Sequence, residues 1–388
     1  MRLAVVTQSR DRVGGLEAYI ESILPALAQY HDVAFWSASE TVSNRGAVAL
    51  PIGVPALTVD RSAPDPVHRL RAWRPDLLFA HGLDDAVLES DIFRVAPVVL
   101  VEHTYHGTCI SSAKTMSWPI VQTCERRFGA ACLALYFPRR CGGLNPVTMA
   151  KSFRTQSRRL AELRRAAAVV TLSAHMADEV LRNGVRPERV HIVPPFVSTT
   201  ENRRVHNTPG RVCRLLYLGR LERLKGVTRL LAALRPVADR LQRPVRLVVA
   251  GDGTERHALE AYASIICAAS PRIAIQFTGW QGESARQRLL ADTDALVVPS
   301  LWPEPFGLVG LEAAAAGVPA VAFATGGIPE WLRDGENGCL APSLGARPDR
   351  LADALVRCVG TPEALARFSA GARRLAAEWT LDRHIARL

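Results

Sequence analysis

What most constrains this chain is a repeated alternation. Short apolar runs stop abruptly at a glycine, a charge or a polar residue, and segments with helical spacing follow them. "LAVVTQ" (3–8) precedes "GGLEAYIESILPALAQY" (14–30), and "DVAFWS" (32–37), "DLLFAHG" (76–82), "APVVLVEH" (96–103), "AAAVVTLS" (166–173) and "VHIVPPFV" (190–197) continue the series. Brief β-branched runs bounded by turn formers read as buried strands, and their alternation with helices predicts parallel sheets covered on both faces. The polar, turn-rich "STTENRRVHNTPG" (198–210) interrupts the pattern and reads as a linker. The alternation then restarts with "CRLLYLG", "VRLVVAGDG", "IAIQFTG", "ALVVPS" and "PAVAFATGG". With 388 residues, the expected architecture is two doubly wound α/β domains.

Composition narrows the function classes. Hydrophobic residues make up 48% and charged residues 22%, the balance of a soluble globular protein. No run reaches the ~18 apolar residues of a membrane span. The opening "MRLAVVTQSRDRVGG" is too short in its apolar part for a signal peptide, so a cytoplasmic location is expected. A net charge of +11 suits polyanions such as phosphorylated small molecules or anionic lipid, and equally a merely solvated basic face. Arginines gather in "RTQSRRLAELRR" (154–165).

Several strand tips have the chemistry of an anion site. "LYLGRLERLKG" (216–226) ends a strand at Gly219 and supplies Arg220 and Lys225 before the next helix. Two cations beside unpaired helix N–H groups bracket a diphosphate well, although each alone also reads as an ordinary surface charge. "VVAGDG" offers Gly251 at a second tip, and "FATGGIPEWL" (323–332) is another. "PEPFGLVGLEAAAAG" (303–317) carries Glu304 just ahead of a helix and Glu312 about two turns later. Pro305 suggests a helix starting at Phe306 and ending at Gly317. The N–H groups of Phe306, Gly307 and Leu308 would then face an anion, while two carboxylates suit hydroxyl-rich ligands. The plainer alternative is that Glu304 favours the helix dipole and Glu312 pairs with a basic residue.

Taken together, "EPFGLVGLEAAAAGVPAV", "LGRLERLKG", "VVAGDG", "FTGW" and "GGLEAYIESILPALA" resemble, in order and spacing, the retaining glycosyltransferases of family 4. The resemblance covers nearly the whole chain and is strongest from about 212 to 340. It implies a GT-B fold, two Rossmann-like domains facing a central cleft, and transfer of a sugar from a nucleotide-diphosphate donor to an acceptor hydroxyl. Arg220 and Lys225 would bind the diphosphate, Glu312 the ribose and Glu304 the transferred sugar. Phe306, Gly307 and Leu308 would contribute backbone contacts, with Gly251 at its strand tip, Gly279 and Trp280 near the base, and Gly15 near the diphosphate. His103 in "PVVLVEHTYHG" matches the family's histidine that hydrogen-bonds the transferred sugar, with His106 as its rival. No divalent cation is required by any motif present. The expected divisions are an acceptor-side domain at 1–197, the linker at 198–210, a donor domain at 211–375, and a helix at 376–388 placed to cross back.

The departure is a cysteine-rich insert at about 104–150. Four of the eight cysteines, Cys109, Cys124, Cys132 and Cys141, fall there, spaced wider than a zinc signature. They are candidate ligands for a 4Fe–4S cluster or zinc; the alternative is an unligated helical hairpin. The acceptor expected first is a lipid-linked or cell-surface polysaccharide intermediate, with peripheral contact at an anionic inner membrane face; no nucleic-acid partner is expected. Open alternatives are a small soluble acceptor, a nucleotide-sugar epimerase on the same fold, or a metal- or cluster-sensing binding module.

Overall fold

The computed structural model describes residues 1–11, 15–39, 46–197 and 211–388, so the expected linker and Gly14 lie outside the described residues. The chain divides into two compact units. The first comprises Met1–Ala113, Glu125–Pro195 and His384–Leu388; the second comprises Lys114–Cys124 and Phe196–Arg383. The division thus departs from a single cut near residue 200 at two places, the 114–124 segment and the last five residues.

Strands are numbered in chain order: β1 Arg2–Thr7, β2 Asp32–Ser37, β3 Ala56–Thr58, β4 Leu77–Ala80, β5 Val98–Glu102, β6 Thr115–Met116, β7 Gln122–Thr123, β8 Ala168–Thr171 and β9 Val190–Ile192. The first unit's sheet has the order β3-β2-β1-β4-β5-β8-β9, all parallel. Its central strands are buried on both faces, as Leu3–Val6 show, so they read as continuous apolar runs rather than alternating ones. Ala4, Val6, Leu78, Ala80 and Val169 join the helix residues Leu160, Leu163 and Val180 in one core.

The second unit holds β10 Cys213–Leu218, β11 Val245–Ala250, β12 Ile273–Gly279, β13 Ala295–Val298, β14 Ala320–Phe323 and β15 Gly338–Ala341. Their order is β12-β11-β10-β13-β14-β15, again parallel. Strand order reverses between β10 and β13. In open α/β sheets ligands bind beyond the carboxyl ends of the strands at such a reversal. The helix Val227–Leu241 packs Leu230, Leu231, Leu234 and Val237 onto this sheet, and Pro348–Val359 adds Leu351, Leu355 and Val359.

The cysteine-rich insert is not a helical hairpin. β6 and β7 pair antiparallel as a small β-hairpin belonging to the second unit, where Val121 packs against the core and Arg223 donates to Ser117 Oγ (3.1 Å). A short helix, Ala131–Leu135, and the basic helix Pro146–Arg165 belong to the first unit. Asn145 caps the latter by accepting from Val147 and Thr148, with Pro146 at the first helical position.

Candidate functional site: strand tips at the two sheet reversals

In the second unit the loops after β10 and β13 are stitched together. The Leu224 carbonyl accepts from the backbone N–H groups of Leu301 (2.8 Å) and Trp302 (3.0 Å). A single 3-10 turn, Arg223–Lys225, ends at Gly226, whose φ of +73° starts the next helix. A Cβ there would sit 1.9 Å from the Pro299 carbonyl, so only glycine lets the two tips approach. That approach brings Lys225 Nζ to 2.8 Å from Glu304 Oε1. The ammonium also lies 4.4 Å from the centroid of the Trp302 ring. Both partners are largely sheltered, and Glu304 is 8% exposed.

Arg220 behaves differently. Its carbonyl accepts from the Tyr217 hydroxyl (2.7 Å), which fixes the loop, while its guanidinium pairs with Glu222 (2.7 Å) in solvent. An exposed pair of this kind contributes little stability, so the guanidinium exchanges partners at low cost.

The helix expected from Phe306 starts at Leu308 instead and runs to Ala315. Gly307 stands before it with φ +101°, a conformation no helical residue adopts. Fully buried Trp331 donates from Nε1 to the Phe306 carbonyl (2.6 Å), holding that peptide outside the helix. The first-turn N–H groups therefore belong to Leu308 and Val309 rather than to Phe306. Glu304 remains ahead of the helix, with its carbonyl accepting from Gly327 (2.7 Å) in the loop after β14. Glu312 lies in the second turn, half-buried, with Oε2 3.6 Å from Arg286 Nε. Burial pushes its carboxyl up, and the Arg286 guanidinium opposes that. Arg286, on the helix Glu283–Ala291, was not among the residues read from the sequence.

Gly251 and Gly279 meet at neighbouring tips, the Gly251 N–H donating to the Gly279 carbonyl (2.8 Å). Trp280 follows with 48% of its surface exposed.

In the first unit the corresponding tips carry histidines. His103 directly follows β5, and His81, which sequence reading treated only as part of a strand tip, directly follows β4. His81 Nδ1 lies 2.9 Å from His103 Nε2. Burial pushes His103 down to about 4 and His81 well below the ordinary imidazole range. His106 is also pushed down to about 4, by burial and then by Arg159, but is not part of this pair. Gly15 opens the helix Gly15–Tyr30 that follows β1 and is exposed.

Among the described residues no cluster or zinc site is shown at the four insert cysteines. Cys109 is buried with Sγ 3.6 Å from Ser111 Oγ, and Cys141 Sγ lies 3.8 Å from the Leu135 carbonyl. Cys132 and Cys141 pack against the first unit's apolar core, whereas Cys124 ends the hairpin of the second. Among the described residues no group of three or more His, Cys, Asp or Glu side chains is arranged to hold a metal ion. The segment divides between the two units, Cys124 falling in the second and Cys109, Cys132 and Cys141 in the first.

Comparison with known proteins now adds to this geometry. The family described as Glycosyltransferase Family 4 matches residues 13–201, and Glycosyl transferases group 1 matches residues 198–375. Glycogen synthase of Mycobacterium tuberculosis is 32% identical over 283 residues, 69% of this chain and 56% of that protein. D-inositol 3-phosphate glycosyltransferase of Thermobispora bispora is 34% identical over 215 residues, 52% of this chain and 50% of that one. The chain thus spans about half the length of the curated relatives it matches. Anabaena HepE, solved with UDP and glucose, superposes with a TM-score of 0.70 at 18% identity, covering 100% of this chain and 98% of that one. Sucrose-phosphate synthase from Thermosynechococcus elongatus gives a TM-score of 0.69 at 18% identity, covering 99% and 96%. With both halves matched in order and the same two-sheet architecture in solved transferases, the chain belongs to glycosyltransferase family 4 and has the GT-B fold.

Proposed function

We propose that this protein is a retaining hexosyltransferase that moves a sugar from a nucleoside-diphosphate donor to an acceptor hydroxyl. The observation that carries the reading is the sheltered Lys225–Glu304 pair at the β10/β13 reversal, beside the N-terminus of the Leu308–Ala315 helix. A diphosphate needs a cation and N–H donors, and a hexose needs a carboxylate acceptor; all three meet there. Lys225 and Arg220 hold the diphosphate, with the Leu308 and Val309 N–H groups adding to them. Glu304 accepts from hydroxyls of the transferred sugar, and Glu312 accepts from the ribose, with the Arg286 guanidinium beside it. Gly251, Gly279 and Trp280 border the base, Gly15 approaches the diphosphate, and His103 hydrogen-bonds the transferred sugar.

In the reaction the bond from the anomeric carbon to the β-phosphate oxygen breaks and the acceptor oxygen bonds that carbon. The acceptor's proton passes to the departing diphosphate. Negative charge grows on the β-phosphate as it leaves, where fixed cations and N–H dipoles stabilise it most. Attack from the leaving-group face retains configuration. A UDP-hexose is the first donor to test, since HepE was solved with UDP-glucose.

For the acceptor we favour a lipid-linked or cell-surface polysaccharide intermediate, reached by peripheral contact with an anionic membrane. The support is the basic stripe of Lys151, Arg154 and Arg158, all exposed along the helix Pro146–Arg165. Among the described residues no helix is long and apolar enough to cross a membrane. The test pairs a panel of nucleotide sugars with membrane extract and follows diphosphate release and the anomeric configuration of the product. Release with retained configuration supports the reading; an inverted product, or no release from any donor, contradicts it.

A further inference from the structure

His81 and His103 stand on adjacent parallel strands, β4 and β5, each one residue beyond its strand. Their facing nitrogens, His81 Nδ1 and His103 Nε2, are 2.9 Å apart. Phe79 and Tyr19 lie edge-on to His81 with ring centroids at 4.9 and 5.8 Å, and Tyr19 lies 6.0 Å from His103. The Tyr19 hydroxyl lies 3.0 Å from His384 Nε2, and its ring packs edge-on against the pair. His81 is buried, and its Nε2 has no hydrogen-bond partner.

A neutral imidazole has one N–H and one lone pair. Two neutral rings joined nitrogen to nitrogen share a single bridging proton, so their outer nitrogens must differ in character. If His103 Nε2 held the proton, His81 Nε2 would be a buried N–H with no acceptor. If His81 Nδ1 holds it, His81 Nε2 is a buried lone pair, and His103 Nδ1 carries the remaining N–H. A stranded donor is the rarer and costlier of the two defects. Burial that keeps both rings neutral is consistent with a single bridging proton.

We propose that His81 is a positioning residue that donates from Nδ1 to His103 Nε2 and thereby fixes His103 as an Nδ1–H donor toward a ligand oxygen. The oxygen is a hydroxyl of the transferred sugar, and this part rests on the role given to His103 above. His81 itself need not touch the sugar. Its side chain sets the tautomer and ring orientation of its neighbour, as the outer partner of a ligand-binding histidine does.

Two measurements test it. In wild-type protein with 15N-labelled histidine, NMR shifts assign the protonated nitrogen of each ring. Protonated Nδ1 and bare Nε2 on His103 are expected; the reverse tautomer overturns the proposal. In turnover, His81→Leu is expected to lower kcat at least tenfold with donor KM within about twofold. His81→Asn, whose amide reaches the position of Nδ1, is expected to recover most of that loss. His81→Leu added to His103→Ala should cost nothing further. If His103→Ala turns over normally, the role of His103 fails. If His103→Ala is inactive while His81→Leu is normal, or if folded His81→Asn is as poor as His81→Leu, the positioning role fails.

Discussion

Lys225 Nζ donates to Glu304 Oε1 at 2.8 Å, joining the tips of two neighbouring strands through the pair expected to grip adjoining parts of one donor, its diphosphate and its sugar. Without a donor each neutralises the other. The two deletions are not equivalent. Lys225→Ala strands a carboxylate that is only 10% exposed in its side chain, whereas Glu304→Gln leaves Lys225 facing an amide oxygen. We expect Lys225→Ala to destabilise the second unit by about 3 kcal/mol, and Glu304→Gln by clearly less. Both should lower turnover about a hundredfold. Denaturant unfolding and donor turnover check the two halves of this statement separately.

Gly326 fixes the backbone of Glu304. A Cβ at Gly326 would lie 2.3 Å from the Glu304 carbonyl oxygen and 2.5 Å from its nitrogen, at a φ of +58°. Gly345, with φ +70°, has nothing within 4 Å of the same added atom. Gly326→Ala should therefore cut turnover at least tenfold. Gly345→Ala should cost only the left-handed backbone strain, about 1–2 kcal/mol, with turnover intact. Equal loss in the two variants would rule out the steric explanation.

Arg286 opposes the rise that burial imposes on the Glu312 carboxyl. A carboxyl raised in the folded protein loses its charge as pH falls through that raised value. Arg286→Leu removes the opposing cation and moves the loss to higher pH. Donor KM should rise, and rise further as pH falls, with kcat less affected; a KM profile unchanged from wild type would contradict the role.

Glu102, buried beside Glu89 and Arg159, is pushed up to about 8, first by burial, then by Glu89, with Arg159 opposing. In the unfolded chain it ionises near its ordinary value of 4.5. Between these values the folded state holds a proton that the unfolded state has released, so stability falls as pH rises through this window. Glu102→Gln keeps the neutral shape and should flatten the decline between pH 6 and 8 in melting scans. An unchanged slope would show that Glu102 is already charged.

The sheet architecture was legible because doubly buried strands announce themselves as unbroken apolar runs ending in glycine or charge. Lys225 and Glu304 each fall in the loop after such a run, but their pairing across two strand tips has no local mark. The helix start was misplaced because Pro305 is a start signal only for a backbone free to wind. Here the Trp331 bond to the Phe306 carbonyl and the φ of Gly307 delay winding to Leu308. Arg286 looked like any solvated helix arginine, since nothing local marks its approach to Glu312. His81 was hidden similarly: its partner lies 22 residues away and meets it only through strand adjacency. Cys124 falls in the second unit and Cys109, Cys132 and Cys141 in the first, a division that nothing in their spacing announces.

The central claim is that the second unit binds a nucleoside-diphosphate sugar through the Lys225–Glu304 pair. Calorimetric titration of the whole chain with UDP-, GDP- and ADP-hexoses tests it most directly. At least one should bind saturably to the wild type, with a Kd at least tenfold weaker in Lys225→Ala, a loss of about 1.4 kcal/mol. Binding of none of them, or equal affinity in wild type and Lys225→Ala, would contradict it.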